Sequence, residues 1–260
     1  MLNHPLLPKL RRLRLSGMLE TLETRAQQAT REQWEPTEFL GILLDDELER
    51  RDHTRLDRRI SEAGVDPAKT LASFDFGAVP ALSRRTVEAL GTAQFVARAQ
   101  NIILAGPTGV GKSHLMNGLV IEALKRGYSG LYRPAHRVLT DLQASRGDGT
   151  YRRRLHRLLQ VDVLALDDVG LRPLTTEMAE DLYELIRERY ERKPLLLTSN
   201  RALAEWPEAF GNPLLANAAL DRLTHHCQTV VIRGESYRQR GRKQNPEGSD
   251  TQNEEVPAIS

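Results

Sequence analysis

One short stretch, residues 103–119, constrains the fold more than any other part of the chain. It reads ILAGPTGVGKSHLMNGL. A short apolar run at 101–105 comes before a glycine-rich loop, and apolar residues then recur at helical spacing until Gly127. This order predicts a strand, a loop and a helix. Backbone N–H groups of such a loop point inward, at the positive end of the following helix, where an anion binds.

The loop itself matches a phosphate-binding pattern. The pattern G-x-x-x-x-G-K-[ST] is filled by Gly106, Pro107, Thr108, Gly109, Val110, Gly111, Lys112 and Ser113. The glycines let the backbone turn tightly around the phosphates. We expect Lys112 to reach the β- and γ-phosphates and the Ser113 hydroxyl to ligate Mg²⁺. The sequence therefore predicts a nucleotide site with a magnesium ion.

Composition bounds the remaining possibilities. The chain has 260 residues, which suggests one large domain or a domain with an appendage, and its 40% hydrophobic residues suffice for a core. No segment approaches the roughly 18 apolar residues that a membrane span needs. The N-terminus shows no cleavage site of a secretory signal. The single cysteine, Cys227, excludes an internal disulfide and fits a reducing compartment. We expect a cytoplasmic protein with no membrane partner.

Basic residues are unevenly distributed, although the net charge is only +2. Residues 121–160 carry nine Lys or Arg against three acids, and residues 222–243 carry six against one. The first cluster includes Arg152, Arg153 and Arg154 in the run YRRRLHR. Such clusters are either solvated faces or contacts to a polyanion. Beside a nucleotide site they make DNA a candidate partner, with these three arginines as candidate contacts.

The chain divides into regions of different pattern. Residues 1–65 predict a small helical N-terminal domain, with one amphipathic helix broken near Gly17 and a longer one from Pro36 to a stop at Gly64. Residues 66–80 are expected to be a linker and 81–245 the nucleotide-binding core. Residues 246–260 are acidic and poor in apolar residues, so we expect a disordered tail.

The core alternates predicted strands and helices. The strands are 101–105, 128–133, 161–167, 194–199 and 229–233, and the helices between them include 135–146, 175–193 and 212–227. Alternation over this length predicts an α/β fold with a parallel five-stranded sheet. In such sheets ligands bind at the carboxyl ends of the strands.

Polar residues follow two of these strands. Asp167 and Asp168 end the run VDVLALDDVG, where the first carboxylate could hold Mg²⁺ through its water shell and the second could deprotonate the attacking water. The alternative is a core strand that ends in a solvated acidic turn. Asn200 ends PLLLTSN, where its amide could bridge the γ-phosphate and the water, or merely make a turn.

The nucleotide is expected to be ATP. One predicted strand, 128–133, separates the loop strand from the strand that ends at Asp167, an arrangement typical of additional-strand ATPases. The guanine-reading sequence N-K-x-D is absent from the chain.

Arg222 is a further candidate. It lies in LDRL, on a predicted helix between Leu220 and Leu223. An arginine here could enter the ATP site of a neighbouring subunit and stabilise the charge of the transition state. The alternative is a surface arginine paired with Asp221 or Glu235.

Together these segments resemble the IstB-like ATPases, the helper proteins of bacterial insertion sequences, and more distantly the DnaC-type helicase loaders. The resemblance covers roughly residues 5–242. It is carried by FLGILLDDELERR, FDF, NIILAGPTGVGKSHL, RRRLHRLLQVDVLALDDVG, LYELIRERYERKPLLLTSN, LANAALDRLTHHC and IRGESYRQR. It implies a P-loop AAA+ ATPase core of the initiator type that assembles with ATP into homo-oligomers on DNA and works with a transposase. It also implies that Arg222 acts between subunits and that Asn200 occupies the sensor 1 position.

Two features depart from the family pattern. Many relatives carry aspartate followed by glutamate where this chain has Asp167 and Asp168, and the shorter side chain predicts slower hydrolysis. The chain also ends soon after its last predicted strand, so we expect no helical lid, and Arg238 could replace part of its function. A loader of a replicative helicase and a nucleotide-binding scaffold that barely hydrolyses ATP remain alternatives to a transposition helper.

Overall fold

A computed structural model of the chain describes residues 6–234, 236 and 237. The chain forms two compact units, Met1–Glu62 and Ala63–Ser260. Three helices, α1 (Leu6–Arg12), α2 (Ser16–Glu32) and α3 (Pro36–Ala63), make up almost all the described part of the first unit. No helix within the described ranges is long and apolar enough to cross a membrane.

Helices α2 and α3 of the first unit are joined through a glycine and a buried carboxylate. A Cβ on Gly17 would lie 2.7 Å from the Asp46 carbonyl oxygen, so the backbones approach more closely than any other residue permits. The Glu47 carboxylate accepts the N–H of Gly17 at 2.6 Å. Arg25 adds two hydrogen bonds to Asp46, at 2.9 and 2.8 Å. These hydrogen bonds therefore supplement the apolar contact between α2 and α3.

The break between α1 and α2 lies at residues 13–15, slightly before the predicted position near Gly17. Arg14 makes the turn with a φ of 57°. Gly17 itself is helical, because its function is the close approach to α3 rather than the break.

The second unit is built on a five-stranded sheet. Its strands are β1 (Asn101–Ala105), β2 (Gly130–Pro134), β3 (Val163–Asp167), β4 (Leu195–Ser199) and β5 (Cys227–Val231). They pair in the order β2-β3-β4-β1-β5, and every pair is parallel. The predicted parallel α/β core is therefore confirmed, with strand limits that differ from the predicted ones by at most two residues.

Helices cover the sheet. They are α4 (Arg84–Gly91), α5 (Gln94–Ala97), α6 (Lys112–Lys125), α7 (Ala135–Gly147), α8 (Tyr151–Gln160), α9 (Thr176–Arg189), α10 (Trp206–Phe210) and α11 (Pro213–His225). Strands β3 and β4 are buried along their whole length, as expected for central strands of a parallel sheet. Helix α11 is capped by Asn212, whose side chain accepts the N–H of Leu215 at 3.1 Å.

The prediction that strand 128–133 separates the loop strand from the strand ending at Asp167 is wrong, because β4 lies between β1 and β3 in the sheet and β2 lies at the edge. Apolar periodicity predicts strands but not which of them are neighbours. As a result of the observed order, the carboxyl ends of β1, β3 and β4 meet in the middle of one sheet edge. Three sequence-distant segments, those following Ala105, Asp167 and Ser199, are brought together there.

Residues 66–80, predicted to be a linker, belong to the second unit and contact α6. The Asn117 side chain on α6 donates to the carbonyls of Asp66 and Lys69 at 2.8 and 2.9 Å. The predicted acidic tail and Arg238 lie outside the described residues, as does any lid beyond Tyr237.

Candidate active site

The glycine-rich loop connects β1 to α6 at the centre of the sheet. Gly106, Gly109 and Gly111 have φ values of 153°, 87° and 94°, which other residues rarely adopt. A Cβ on Gly106 would lie 2.2 Å from the Ile232 carbonyl oxygen, and one on Gly111 would lie 2.8 Å from the Phe74 ring. Both conformation and space therefore require glycine at these positions.

Lys112 is the first residue of α6, and its side chain turns back over the loop. It is buried, and its ammonium donates to the carbonyls of Gly106 and Pro107, both at 2.7 Å. These bonds hold the charge at the mouth of the loop, beside the N-terminus of α6. The combination of an ammonium and a helix N-terminus attracts an anion.

Asp167 is the centre of a hydroxyl network at the end of β3. Its Oδ1 accepts from Ser113 at 3.0 Å and from Thr198, and its Oδ2 accepts from Tyr132 at 2.5 Å. Burial and the carboxylate of Asp167 raise the pKa of Tyr132 far above its usual range, so the phenol stays protonated and donates. The carboxylate is therefore fixed in orientation by the two neighbouring strands, β2 and β4, and by α6.

Asp168 has an unusual backbone conformation. Its φ is 56°, in the left-handed region, and its N–H donates to Thr198 Oγ1 at 2.8 Å. Aspartate and asparagine are enriched several-fold in this region compared with most other residues. This conformation places the residue on the wall of the cavity next to the loop.

Asn200 follows β4 and also lines that cavity. Its Oδ1 is buried, and no hydrogen-bond partner for it exists among the described residues. A buried polar atom without a partner is uncommon and indicates a site where a ligand or water binds.

The cavity has a volume of about 320 Å³. It is lined by the loop from Thr108 to Ser113 and by Asp168 and Asn200. It is also lined by residues of the segment predicted to be a linker, namely Lys69, Ser73, Phe74, Asp75, Ala78 and Val79.

The sequence did not predict the cavity residues of the segment 69–79. It also did not predict that Tyr132 and Thr198 bind Asp167. Phe74 is buried and packs edge-to-face on Phe76 and His114, at centroid distances of 5.0 and 5.4 Å. The two phenylalanines in FDF, within a chain of only 5% aromatic residues, were the available signal.

Comparison with known proteins identifies the family. Residues 8–245 match the family described as IstB-like ATP binding protein. The protein named for ATP binding in insertion sequence IS21 of Pseudomonas aeruginosa is 37% identical over 90% of this chain and 89% of its own. A protein named for ATP binding in an insertion sequence of Mycobacterium tuberculosis is 38% identical over 90% and 93%. The chain belongs to the IstB-like family.

Solved structures show the same fold. DnaA of Aquifex aeolicus, bound to AMPPCP, has a TM-score of 0.56 and 23% identity, covering 71% of this chain and 56% of that one. The DnaC helicase loader has a TM-score of 0.52 and 20% identity, covering 64% and 98%. At these identities the likeness establishes the fold alone, which is that of a P-loop AAA+ domain.

This IstB-like chain is therefore an ATPase, and its cavity fits the nucleotide. A volume of about 320 Å³ lies within the range of small-molecule sites. The loop presents N–H groups and the Lys112 ammonium, and the unpartnered Asn200 oxygen stands at the same cavity. The donor set around Asp167, a carboxylate beside a serine hydroxyl, suits Mg²⁺, which prefers oxygen ligands.

The remaining predicted residues lie elsewhere. Arg222 is half-buried on α11, donates to the Ala218 carbonyl at 3.0 Å and lies 5.4 Å from the centre of the Tyr183 ring. It is not among the residues that line the cavity of its own chain. Arg152, Arg153 and Arg154 are exposed on α8, and Arg154 pairs with Asp148 at 3.6 Å.

Proposed function

We propose that the chain is the ATP-dependent helper of a transposase, which assembles as an oligomer on DNA with ATP bound and is reset by hydrolysis. The observation that carries this proposal is the similarity, over 90% of the chain, to ATP-binding proteins named for insertion sequences. The proposed place of action is the cytoplasm, where the DNA is.

Binding of ATP is assigned to the loop and to Asp167. The loop N–H groups and Lys112 hold the phosphates, and the ammonium exchanges its loop carbonyls for phosphate oxygens. Ser113 and Asp167 would hold Mg²⁺, which neutralises charge on the β- and γ-phosphates. Tyr132 and Thr198 keep the Asp167 carboxylate oriented toward Ser113.

Hydrolysis is assigned to Asp168 and Asn200, which both line the cavity. Asp168 accepts a proton from the attacking water as general base. Asn200 positions that water against the γ-phosphate, and its buried Oδ1 gains a partner that the described residues do not provide. Asp168 is held by a neighbouring strand, because its N–H is bonded to Thr198 on β4.

Arg222 is assigned to the site of a neighbouring subunit. An arginine that stabilises the transition state must reach the γ-phosphate. Because Arg222 does not line the cavity of its own chain, its position supports this assignment. Each complete site then requires two copies of the chain, so that ATP binding and assembly are coupled.

DNA binding is assigned to the exposed arginines of α8. Arginine contacts to phosphates supply affinity and carry no base information, so the expected binding is largely independent of sequence.

The proposal is tested by sedimentation of the full chain with a random-sequence duplex, with and without ATP. ATP should convert the protein into large DNA-bound assemblies. Lys112→Ala should abolish both ATP binding and these assemblies, since the lost charge faces the phosphates. Lys125→Ala is the matched control, because Lys125 lies at the other end of α6 and pairs with Glu122 at 2.7 Å. Equal assembly with and without ATP would contradict the proposal.

The partner is tested by co-purification of the full chain with an insertion-sequence transposase and, in parallel, with a replicative helicase. We expect a complex with the transposase that forms in the presence of ATP and DNA. Capture of a replicative helicase instead of the transposase would overturn this part in favour of a helicase loader.

A further inference from the structure

Two histidines and a glutamate form a cluster outside the nucleotide cavity. Glu191 follows the end of α9, His225 is the last residue of α11, and His226 stands immediately before β5. All three are exposed, and one potential ligand atom from each lies within 4.8 Å of the others. The ATPase mechanism uses none of them.

Two of the three distances within the cluster are close to those between ligands of one metal ion. Glu191 Oε1 lies 3.6 Å from His225 Nδ1 and 3.4 Å from His226 Nε2. Around a tetrahedral ion with bonds of about 2.1 Å, neighbouring ligand atoms are about 3.4 Å apart. Small side-chain rotations therefore suffice to complete the geometry.

The backbone holds these side chains in place from both sides. Glu191 has a φ of 56°, a left-handed conformation that is uncommon for glutamate, at the turn before β4. The His226 carbonyl accepts the N–H of Asn101 at 2.8 Å, which attaches this residue to the start of β1. The two imidazole centres lie 4.2 Å apart. Such fixed backbone positions reduce the entropy that ion binding costs.

We propose that Glu191, His225 and His226 bind one transition-metal ion of the Zn²⁺ class, with a fourth position open to solvent. Two imidazoles and one carboxylate suit Zn²⁺ and its neighbours, whereas Mg²⁺ and Ca²⁺ prefer oxygen ligands. The ion displaces the hydrogen bond of 2.7 Å between the Tyr190 hydroxyl and His225 Nδ1.

The bound ion links the turn after α9 to the end of α11. His225 lies three residues after Arg222 on the same helix, so the ion also fixes the part of α11 that carries Arg222. We therefore expect Zn²⁺ to stabilise the second unit against unfolding, since any ligand of the folded state does so.

The experiment is a calorimetric titration of the untagged, nucleotide-free full chain with Zn²⁺. We expect one ion per chain and an upward shift of the thermal unfolding midpoint. His226→Ala and Glu191→Gln should each weaken binding by at least about tenfold, as losing a partner of a metal site commonly does. Co²⁺ in place of Zn²⁺ should show the absorption of a tetrahedral ion, and the two variants should not.

Two matched controls separate this site from adventitious binding. His156→Ala removes another exposed histidine, on α8, and should leave the titration unchanged. Cys227→Ser removes the thiol next to the cluster and should also retain the ion. The proposal is overturned if the parent binds no Zn²⁺, if His226→Ala and Glu191→Gln bind it as the parent does, or if Cys227→Ser abolishes binding.

Discussion

At the scale of single residues, the orientation of the Asp167 carboxylate governs the site. Ser113 and Thr198 donate to one oxygen and Tyr132 to the other, so that the carboxylate has little freedom to rotate. The oxygen that faces Ser113 is the one placed for a metal ion. Tyr132 is therefore proposed as a positioning residue that acts through Asp167.

Tyr132→Phe tests this function. Removal of the hydroxyl leaves a buried carboxylate oxygen without its donor and frees the group to turn, so ATP affinity in the presence of Mg²⁺ should fall by about tenfold. ATP affinity in EDTA should change little, because the loop and Lys112 are intact. Titration with a fluorescent ATP analogue under both conditions measures the difference. Tyr128→Phe, just before the same strand, is the control. An equal loss with and without Mg²⁺ would indicate general damage instead.

Asp168→Asn separates ATP binding from hydrolysis. Asparagine also tolerates the left-handed conformation at this position, so the backbone should be preserved. Without a general base, turnover should fall by about 10²-fold or more, while ATP stays bound. Phosphate release and analogue binding are the two measurements. Turnover at the parental rate would show that Asp168 is not the base.

The left-handed conformation at Asp168, with a φ of 56°, is one that aspartate adopts with less strain than most other residues. The sequence predicted the presence of this carboxylate but not its backbone conformation.

The site residues that the sequence predicts differ from those it misses in how their positions are determined. The loop, Asp167 and Asn200 follow patterns that are local in the chain, so spacing alone was sufficient. Tyr132 and Thr198 meet Asp167 only because β3 lies between β2 and β4. Apolar periodicity predicts strands but not their order in the sheet, and therefore not which side chains face one another. Arg222 was predicted through the family resemblance and not through its surroundings.

At the scale of elements, helix α8 is held by an apolar face and by hydrogen bonds at both ends. Leu158 is its one buried residue, and Leu155 and Leu159 also pack against the core. At the first residue, the Tyr151 hydroxyl donates to Asp181 at 2.7 Å. At the other end, the buried Arg189 donates to the carbonyls of Leu158 and Val161, each at 2.9 Å. Burial lowers the pKa of Arg189 to about 10, which still leaves it charged at neutral pH. The arginines on the exposed face of α8 are therefore not needed to hold the helix and are available to bind DNA.

Neutralising these arginines tests the DNA contact. Arg152→Gln with Arg153→Gln should weaken binding to all duplex sequences about equally and reduce the slope of log K against log[salt] by roughly one unit per lost phosphate contact. Adding Arg154→Gln should have a smaller effect, because Arg154 already pairs with Asp148. Arg192→Gln, an exposed arginine after α9 that pairs with Glu188, is the control. An unchanged slope would show that these arginines do not contact DNA phosphates and that α8 is an ordinary solvated helix.

At the scale of the whole molecule, the position of Arg222 predicts a site shared between copies. Arg222→Ala should bind ATP but lose about 10³- to 10⁵-fold in turnover, the effect of an arginine finger in related reactions. Lys112→Ala cannot bind ATP at its own phosphate loop, but its Arg222 is intact. A mixture of the two variants should therefore recover part of the activity that each lacks, which a phosphate-release assay measures. Failure to recover, with mixed assemblies verified by sedimentation, would place Arg222 in its own subunit's site or in none.

The contact of Gly106 with Ile232 has a consequence for synthesis of the chain on the ribosome. Ile232 follows β5 and donates its N–H to Ala105, directly before the phosphate loop. The loop is translated more than a hundred residues before Ile232, and β4, its other neighbour, also arrives late. Contacts so distant in sequence form slowly and only when both partners are present. We therefore expect a nascent chain to lack a finished nucleotide site until β5 has left the exit tunnel, so that under the proposed function only copies that contain β5 bind ATP and assemble.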